Sequence, residues 1–264
     1  MHYELLTKQV CNLSRNVGNY IRNELSNIRK SDIQEKDRNN YVTYVDKEAE
    51  KRLVSELGKI IPGSGFVAEE NSKLEKSDEF NWVIDPLDGT TNFIHGIPIF
   101  CISIALMQKN NVVSGVVYEL NTQECFYSWE GAPAYMNRDI IHVSDRENLG
   151  DSLLATGFPY YDYSRMEQYI EVFRILMKES AGIRRMGSAA LDLAYVACGR
   201  FDGFFEYGLH PWDVAAGSFI LQQAGGMVSD FSGSNNHIHG NEIVGGNPAI
   251  HKRLLGIIRE KFNQ

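Results

Sequence analysis

Between residues 65 and 129 the chain carries five strand-like runs, "GFVAEE", "NWVID", "FCISIALMQ", "VVSGVVYE" and "ECFYSW". Turn segments as short as "KNN" and "NTQ" separate several of them. A parallel connection needs a crossover of roughly a dozen residues or more, so links this short predict an antiparallel sheet. After "SDRENLG" the pattern changes. Strand-like "SLLATGF", "FDGFFEY", "MVSDF" and "EIVGG" alternate with helical patterns at 166–179, "SAALDLAYVACG", "PWDVAAGSFILQQAGG" and "PAIHKRLLGIIREKF". Pro211 near a first turn and glycines at the end bound the third of these helices. Alternation of this kind predicts an α/β layer.

The N-terminal part reads differently. Leu5, Leu6, Val10, Leu13, Val17, Ile21, Leu25 and Ile28 recur at helical spacing, which predicts an amphipathic helix over 4–29. The charged segment "RKSDIQEKDRNN" reads as a loop and "YVTYV" as a short strand. Asp46 stands where an N-cap belongs, before a helix with Ala49, Leu53, Val54, Leu57 and Ile61 on its apolar side. Neither a repeat nor a low-complexity linker divides the chain. The expectation is one packed unit, with 1–145 giving the N-terminal helices and antiparallel sheet and 146–264 the C-terminal α/β half.

Composition sets outer bounds. The 264 residues are 43% hydrophobic, enough for a large core. A net charge of −8 argues against a broad footprint on nucleic acid, so no nucleic-acid partner is expected. "MHYELLTKQVCNLSRN" lacks the apolar core of a signal peptide. "GIPIFCISIALM" is too short to cross a bilayer and contains a proline. These features predict a soluble cytoplasmic protein with no membrane partner. Cys11, Cys101, Cys125 and Cys198 are far apart and mostly in apolar patterns, which predicts free thiols. His237 and His239, in "SGSNNHIHGN", read as a solvated turn.

The sharpest local feature is "WVIDPLDGTTNF", residues 82–93, where an apolar run ends in two aspartates three apart. Glu69 and Glu70 likewise end "GFVAEE", and Asp213 lies in the first turn of a helix, where the dipole favours the ionised form. If Glu69, Asp85, Asp88 and Asp213 converge, they repel: a pair at about 4 Å costs about 4 kcal/mol at an effective dielectric near 20. Such a cluster holds either protons or cations. Oxygen donors without histidine or thiolate suit Mg²⁺ or Mn²⁺, and paired metal ions serve phosphoryl transfer to water. Gly89, Thr90 and Thr91 follow where a short helix can begin, so their free N–H groups suit phosphate oxygens, and the Thr90 hydroxyl suits orienting a water. Each piece has a plainer reading too. "DG" is a common turn, "EE" a solvated edge, Asp46 and Asp213 helix-start residues, and "GSAAL" at 187–191 a small packing face.

Taken in order on one chain, the set resembles the inositol monophosphatase family of Mg²⁺-dependent, lithium-sensitive phosphatases, in a bacterial-type form. "WVIDPLDGTTNFIHGIP" matches its first signature and "WDVAAGSFILQQAGG" its second, while "VTYVD", "EEN" and "GSAALDLAYVACGRFDGFFE" fall where its other motifs stand. The resemblance covers nearly the whole chain. It implies a layered α/β/α/β/α sugar-phosphatase fold, a mixed α/β (α+β) class, and a homodimer. It also implies that Glu69, Asp85 and the Leu87 carbonyl hold a first Mg²⁺ (or Mn²⁺), that Asp85, Asp88 and Asp213 hold a second, and that a third sits near Glu69. Glu69, together with Thr90 paired to Asp46, would orient the attacking water. The N–H groups of Gly89 and Thr90, with Leu87, Asp88 and Thr91 beside them, would hold phosphate. Glu206, Asp213 and Gly187–Ser188–Ala189 would face sugar hydroxyls, with Arg184 nearby. Ala68 and Asn40 depart from residues the family often has there.

The implied reaction is hydrolysis of a phosphate monoester, with inositol 1-phosphate the leading substrate. Similar proteins act on fructose 1,6-bisphosphate, the 2′-phosphate of NADP or nucleotide phosphates. The rival from another class is a regulatory binding protein that keeps the fold.

Overall fold

The structure, a computed structural model, describes residues 2–37, 40–71, 74–159 and 162–262. The N-terminal apolar spacing forms helix α1 (Tyr3–Glu24), which stops short of the predicted end. The Leu25 amide turns back to Arg22 O, three residues earlier, and Ser26 and Asn27 favour turns over helix. Leu25 and Ile28 still pack against the core, so their apolar spacing outlasts the helix. Part of the charged segment is strand rather than loop: β1 (Gln34–Asp37) pairs antiparallel with β2 (Asn40–Val42). Residues 38 and 39 of that segment lie outside the described residues.

Tyr44 and Val45, predicted as strand, already belong to helix α2 (Tyr44–Ile60). Its N-cap is Thr43, not Asp46. Thr43 Oγ1 accepts from Val45 N, and Asp46, three residues on, accepts from Thr43 N at 2.9 Å, closing a capping box.

Next come β3 (Gly65–Ala68), β4 (Phe80–Asp88), the short helix α3 (Thr90–Ile94), β5 (Cys101–Gln108) and β6 (Asn111–Glu119). Strands β7 (Cys125–Trp129), β8 (Tyr135–Met136) and β9 (Asp139–Ile140) complete a seven-stranded sheet in the order β3 to β9. It is antiparallel from β4 onward, but β3 runs parallel to β4. The return segment 69–79 is long enough for that crossover, which the short links elsewhere are not.

The C-terminal half supplies β10 (Leu153–Thr156), α4 (Met166–Glu179), β11 (Gly182–Arg184), α5 (Ala189–Ala197) and β12 (Gly203–Tyr207). Helix α6 (Pro211–Gln223), β13 (Met227–Ser229), β14 (Glu242–Gly246) and α7 (Pro248–Phe262) close the chain. The second sheet has the order β11-β10-β12-β14-β13.

Helices α1 and α2 cover one face of the large sheet, α5 and α6 lie between the sheets, and α4 and α7 cover the outer face of the small sheet. The result is the layered α/β/α/β/α arrangement of a mixed α/β fold. Helix α6 is apolar nearly all round because both sheets press on it. One core joins α1, α2, the large sheet and α5–α6; a smaller one lies under α4 and α7. Cys11, Cys101 and Cys125 are buried free thiols and Cys198 is half-buried. The "HIH" segment is a turn, but His237 is buried instead of solvated, and its Nδ1 has no hydrogen-bond partner. Among the described residues no helix is long and apolar enough to cross a membrane.

Candidate active site

Two carboxylates three apart on a regular strand point to opposite faces. In β4 they do not, because the pairing with β5 slips. Asp85 stands opposite Ser103 and Asp88 opposite Cys101, so three steps on one strand match two on the other. Pro86, which has no N–H to give the ladder, lies inside that bulge. The slip turns both aspartates to the same cleft. Asp85 Oδ1 accepts from Leu87 N at 2.9 Å. Asp88 Oδ2 accepts from Ser188 Oγ at 2.7 Å and Ala190 N at 2.8 Å, which ties the bulge to the first turn of α5.

The other carboxylates arrive from separate elements. Glu69 follows β3 and lines the cleft. Asp213 is the third residue of α6, and its Oδ2 accepts from His210 N at 2.7 Å. Behind β4, Asp46 Oδ1 accepts from Thr90 Oγ1 at 2.8 Å, and the same hydroxyl lies 2.9 Å from Leu87 O. One hydroxyl proton thus faces two acceptors. Gly89 has φ +97°, and a Cβ there would come within 2.9 Å of Ile99 O, so only glycine fits the turn into α3.

Asp85 and Asp213 are pushed well above the usual carboxylate range, first by burial and then by neighbouring carboxylates. Burial also raises Asp46, opposed by hydrogen bonds from Thr43 and Thr90. The donor set is all oxygen, which fits Mg²⁺ or Mn²⁺ and not zinc. Among the described residues, no three such side chains are drawn tightly round one point. Mg²⁺ does not require that: it keeps several waters and takes one or two carboxylates plus substrate phosphate.

Most of the residues expected at the site meet in this cleft. Leu87, Gly89, Thr90, Thr91, Gly187, Ser188, Ala189 and Glu206 line it beside the acidic group. Asp46 stands one contact behind, through Thr90. Glu206 rises from β12 over bare backbone: a Cβ on Gly157 would lie 1.9 Å from Glu206 Oε1.

Arg184 is the exception. It ends β11, is exposed, and turns its Nη1 to Ile183 O. The next residue, Arg185, lines the cleft instead. Successive side chains leave an extended segment on opposite sides, so a shift of one residue exchanges the two arginines. Sequence reasoning also passed over Tyr41, Phe158, Asp192, His210 and Trp212, all at the cleft. For Asp192 a signal existed, since it follows Ser188 by four residues in a helix and so shares its side.

A model of the inositol monophosphatase family matches residues 2–262. A relative from Pseudomonas aeruginosa, "Nus factor SuhB", is 44% identical over 251 residues, covering 93% of each chain. "Inositol-1-monophosphatase" of Mesorhizobium japonicum is 39% identical over 247 residues, again covering 93% of each. The crystal structure of the extragenic suppressor protein suhB from Bartonella henselae superposes with a TM-score of 0.91 at 37% identity, covering 97% of this chain and 99% of that one.

Proposed function

The chain belongs to the inositol monophosphatase family and is a phosphoric monoester hydrolase, and from that premise we propose that inositol 1-phosphate is its substrate. The observation that carries the reading is the β4 bulge, which turns Asp85 and Asp88 toward Asp213 and Glu69 in one cleft. Glu69, Asp85 and the Leu87 carbonyl would hold one Mg²⁺, and Asp85, Asp88 and Asp213 a second. A third would sit beside Glu69, and Mn²⁺ is a substitute. Bound ions neutralise phosphoryl charge and lower the pKa of water.

The chain's own groups do the rest. With its proton toward Asp46 Oδ1, Thr90 Oγ1 presents lone pairs to the attacking water, so that as it takes the water's proton its own passes to the Asp46 carboxylate, and Glu69 orients that water. The first N–H groups of α3 have no partner within the helix, so Gly89 and Thr90 are poised to donate to phosphate, with Thr91 at the rim. Glu206, Asp213 and Gly187–Ser188–Ala189 face the sugar hydroxyls. The proposal extends to lithium inhibition and to a homodimer in the cytoplasm; sedimentation at twice the 29.9 kDa chain mass would check the dimer.

A second reading rests on the name of the Pseudomonas aeruginosa relative, a Nus factor. The buried carboxylates serve no purpose in it, which favours the first. The test is phosphate release from inositol 1-phosphate, fructose 1,6-bisphosphate and NADP, in Mg²⁺ and in EDTA. The highest kcat/KM is expected on inositol 1-phosphate, and only with metal. Silence on all three in Mg²⁺ would overturn the reading and leave the Nus-factor role.

A further inference from the structure

Beside the metal-ligand candidates, the cleft lining also carries a guanidinium and two buried acids. Arg185 lines the cleft together with Asp192 of α5 and Glu206 of β12. Asp192 is 1% exposed and Glu206 is 6% exposed. Asp192 Oδ1 has no hydrogen-bond partner, and burial, then Glu206 and Asp88, push its carboxyl well above the usual range, with Arg185 opposing. Burial raises the Glu206 carboxyl, and the same guanidinium opposes that rise only in part.

The backbone is cut to seat this arginine. Gly187 has φ +91°, and a Cβ on it would come within 2.7 Å of Arg185 Nη1 and 2.9 Å of Asn92 Nδ2. On its other side the guanidinium stands 5.6 Å from the centre of the Phe158 ring, close enough for a cation–π contact. The planar donor fork therefore lines the cleft from an exposed position, while its neighbour Arg184 stays outside it.

We propose that Arg185 is a specificity-determining residue on the leaving-group side, donating to hydroxyls of a polyol whose neighbouring hydroxyl donates to Glu206. A guanidinium beside carboxylates offers donors and acceptors at once, which suits adjacent hydroxyls. The inference deepens the phosphatase reading and rests on it.

The test compares kcat/KM for inositol 1-phosphate with that for phenyl phosphate, whose leaving group has no free hydroxyl once bound as the ester. In Arg185→Ala the ratio of the two should fall at least about tenfold, the loss of a good hydrogen-bonded contact. Arg185→Lys, which keeps charge but not the fork, should fall part of the way. Arg184→Ala should keep the wild-type ratio. An unchanged ratio in Arg185→Ala, an equal loss on both esters, or an equal fall in Arg184→Ala would each overturn the assignment. A wild type that releases phosphate from neither ester in Mg²⁺ would overturn the phosphatase reading itself, a pattern distinct from the others. Circular dichroism melts of the variants should match wild type, which separates a lost contact from a lost fold.

Discussion

Glu206 occupies space that Gly157 vacates, and burial pushes its carboxyl up to about 8 from 4.5, with Arg185 pulling the other way. A folded-state value above the unfolded one means the native chain holds the proton longer. That contribution to stability is complete below pH 4.5 and is lost as the pH rises through about 8. In metal-free protein the urea midpoint should therefore fall between pH 5 and pH 8.5, with Glu206 contributing up to about 4 kcal/mol in free energy beside the other raised carboxyls. Glu206→Gln should flatten that fall; equal slopes would contradict the burial argument. Thr90 offers a cleaner test of chemistry than Asp46, because Asp46 also closes the capping box on Thr43 at the start of α2. Thr90→Val keeps the shape and removes the hydroxyl, so kcat should drop about 100-fold or more with KM little changed. A single-turnover rate within threefold of wild type would remove Thr90 from the proton path. Residues read from spacing along the chain were legible here: Asp85, Asp88, Glu69 and Asp213 do share the cleft. Arg184 was not. Choosing between adjacent arginines needs the pleat of the strand, which composition does not carry.

Helix α6 is pressed so close to the large sheet that β6 tolerates no side chain at Gly115. A Cβ there would stand 2.9 Å from Ala216 O, a backbone atom that cannot swing aside. Gly115→Ala should cost about 1–3 kcal/mol, read as a lowered urea midpoint with an unchanged slope. An unaffected midpoint would mean the α6–β6 contact has slack. Helices with strong apolar spacing were legible, and α4 falls on the predicted residues 166–179. Short elements were not. Strand β1 hides in a charged sequence, although Tyr41 and Val42 of β2 fall within the predicted strand, and β8, β9 and β11 are too short to show a period. The bulge in β4 was likewise hidden, although Pro86 marks it, since slippage is a property of the pair and not of one strand.

The layered molecule brings carboxylates from three elements into one cleft, and they raise one another's pKa values there. A divalent cation that binds only the native state should relieve this. At 100 times its Kd it adds about 2.7 kcal/mol, so millimolar Mg²⁺ should raise Tm by several degrees. Asp85→Asn removes one of the repelling charges, so its metal-free Tm should lie at or above wild type while the Mg²⁺ shift disappears. An antiparallel sheet followed by an α/β layer could be foreseen because strands with short links precede alternating helices and strands; the order of layers came from the family resemblance. What lay beyond reach was the crossover that makes β3 parallel, because segment 69–79 carries no helical pattern to announce it. The most direct measurement is a Mn²⁺ titration followed by electron paramagnetic resonance, comparing wild type with Asp85→Asn. Wild type should take up about two Mn²⁺ per chain, displaceable by Mg²⁺, and the variant markedly fewer. No uptake by wild type, or equal uptake by both, would mean these carboxylates do not hold the ions that drive phosphate release.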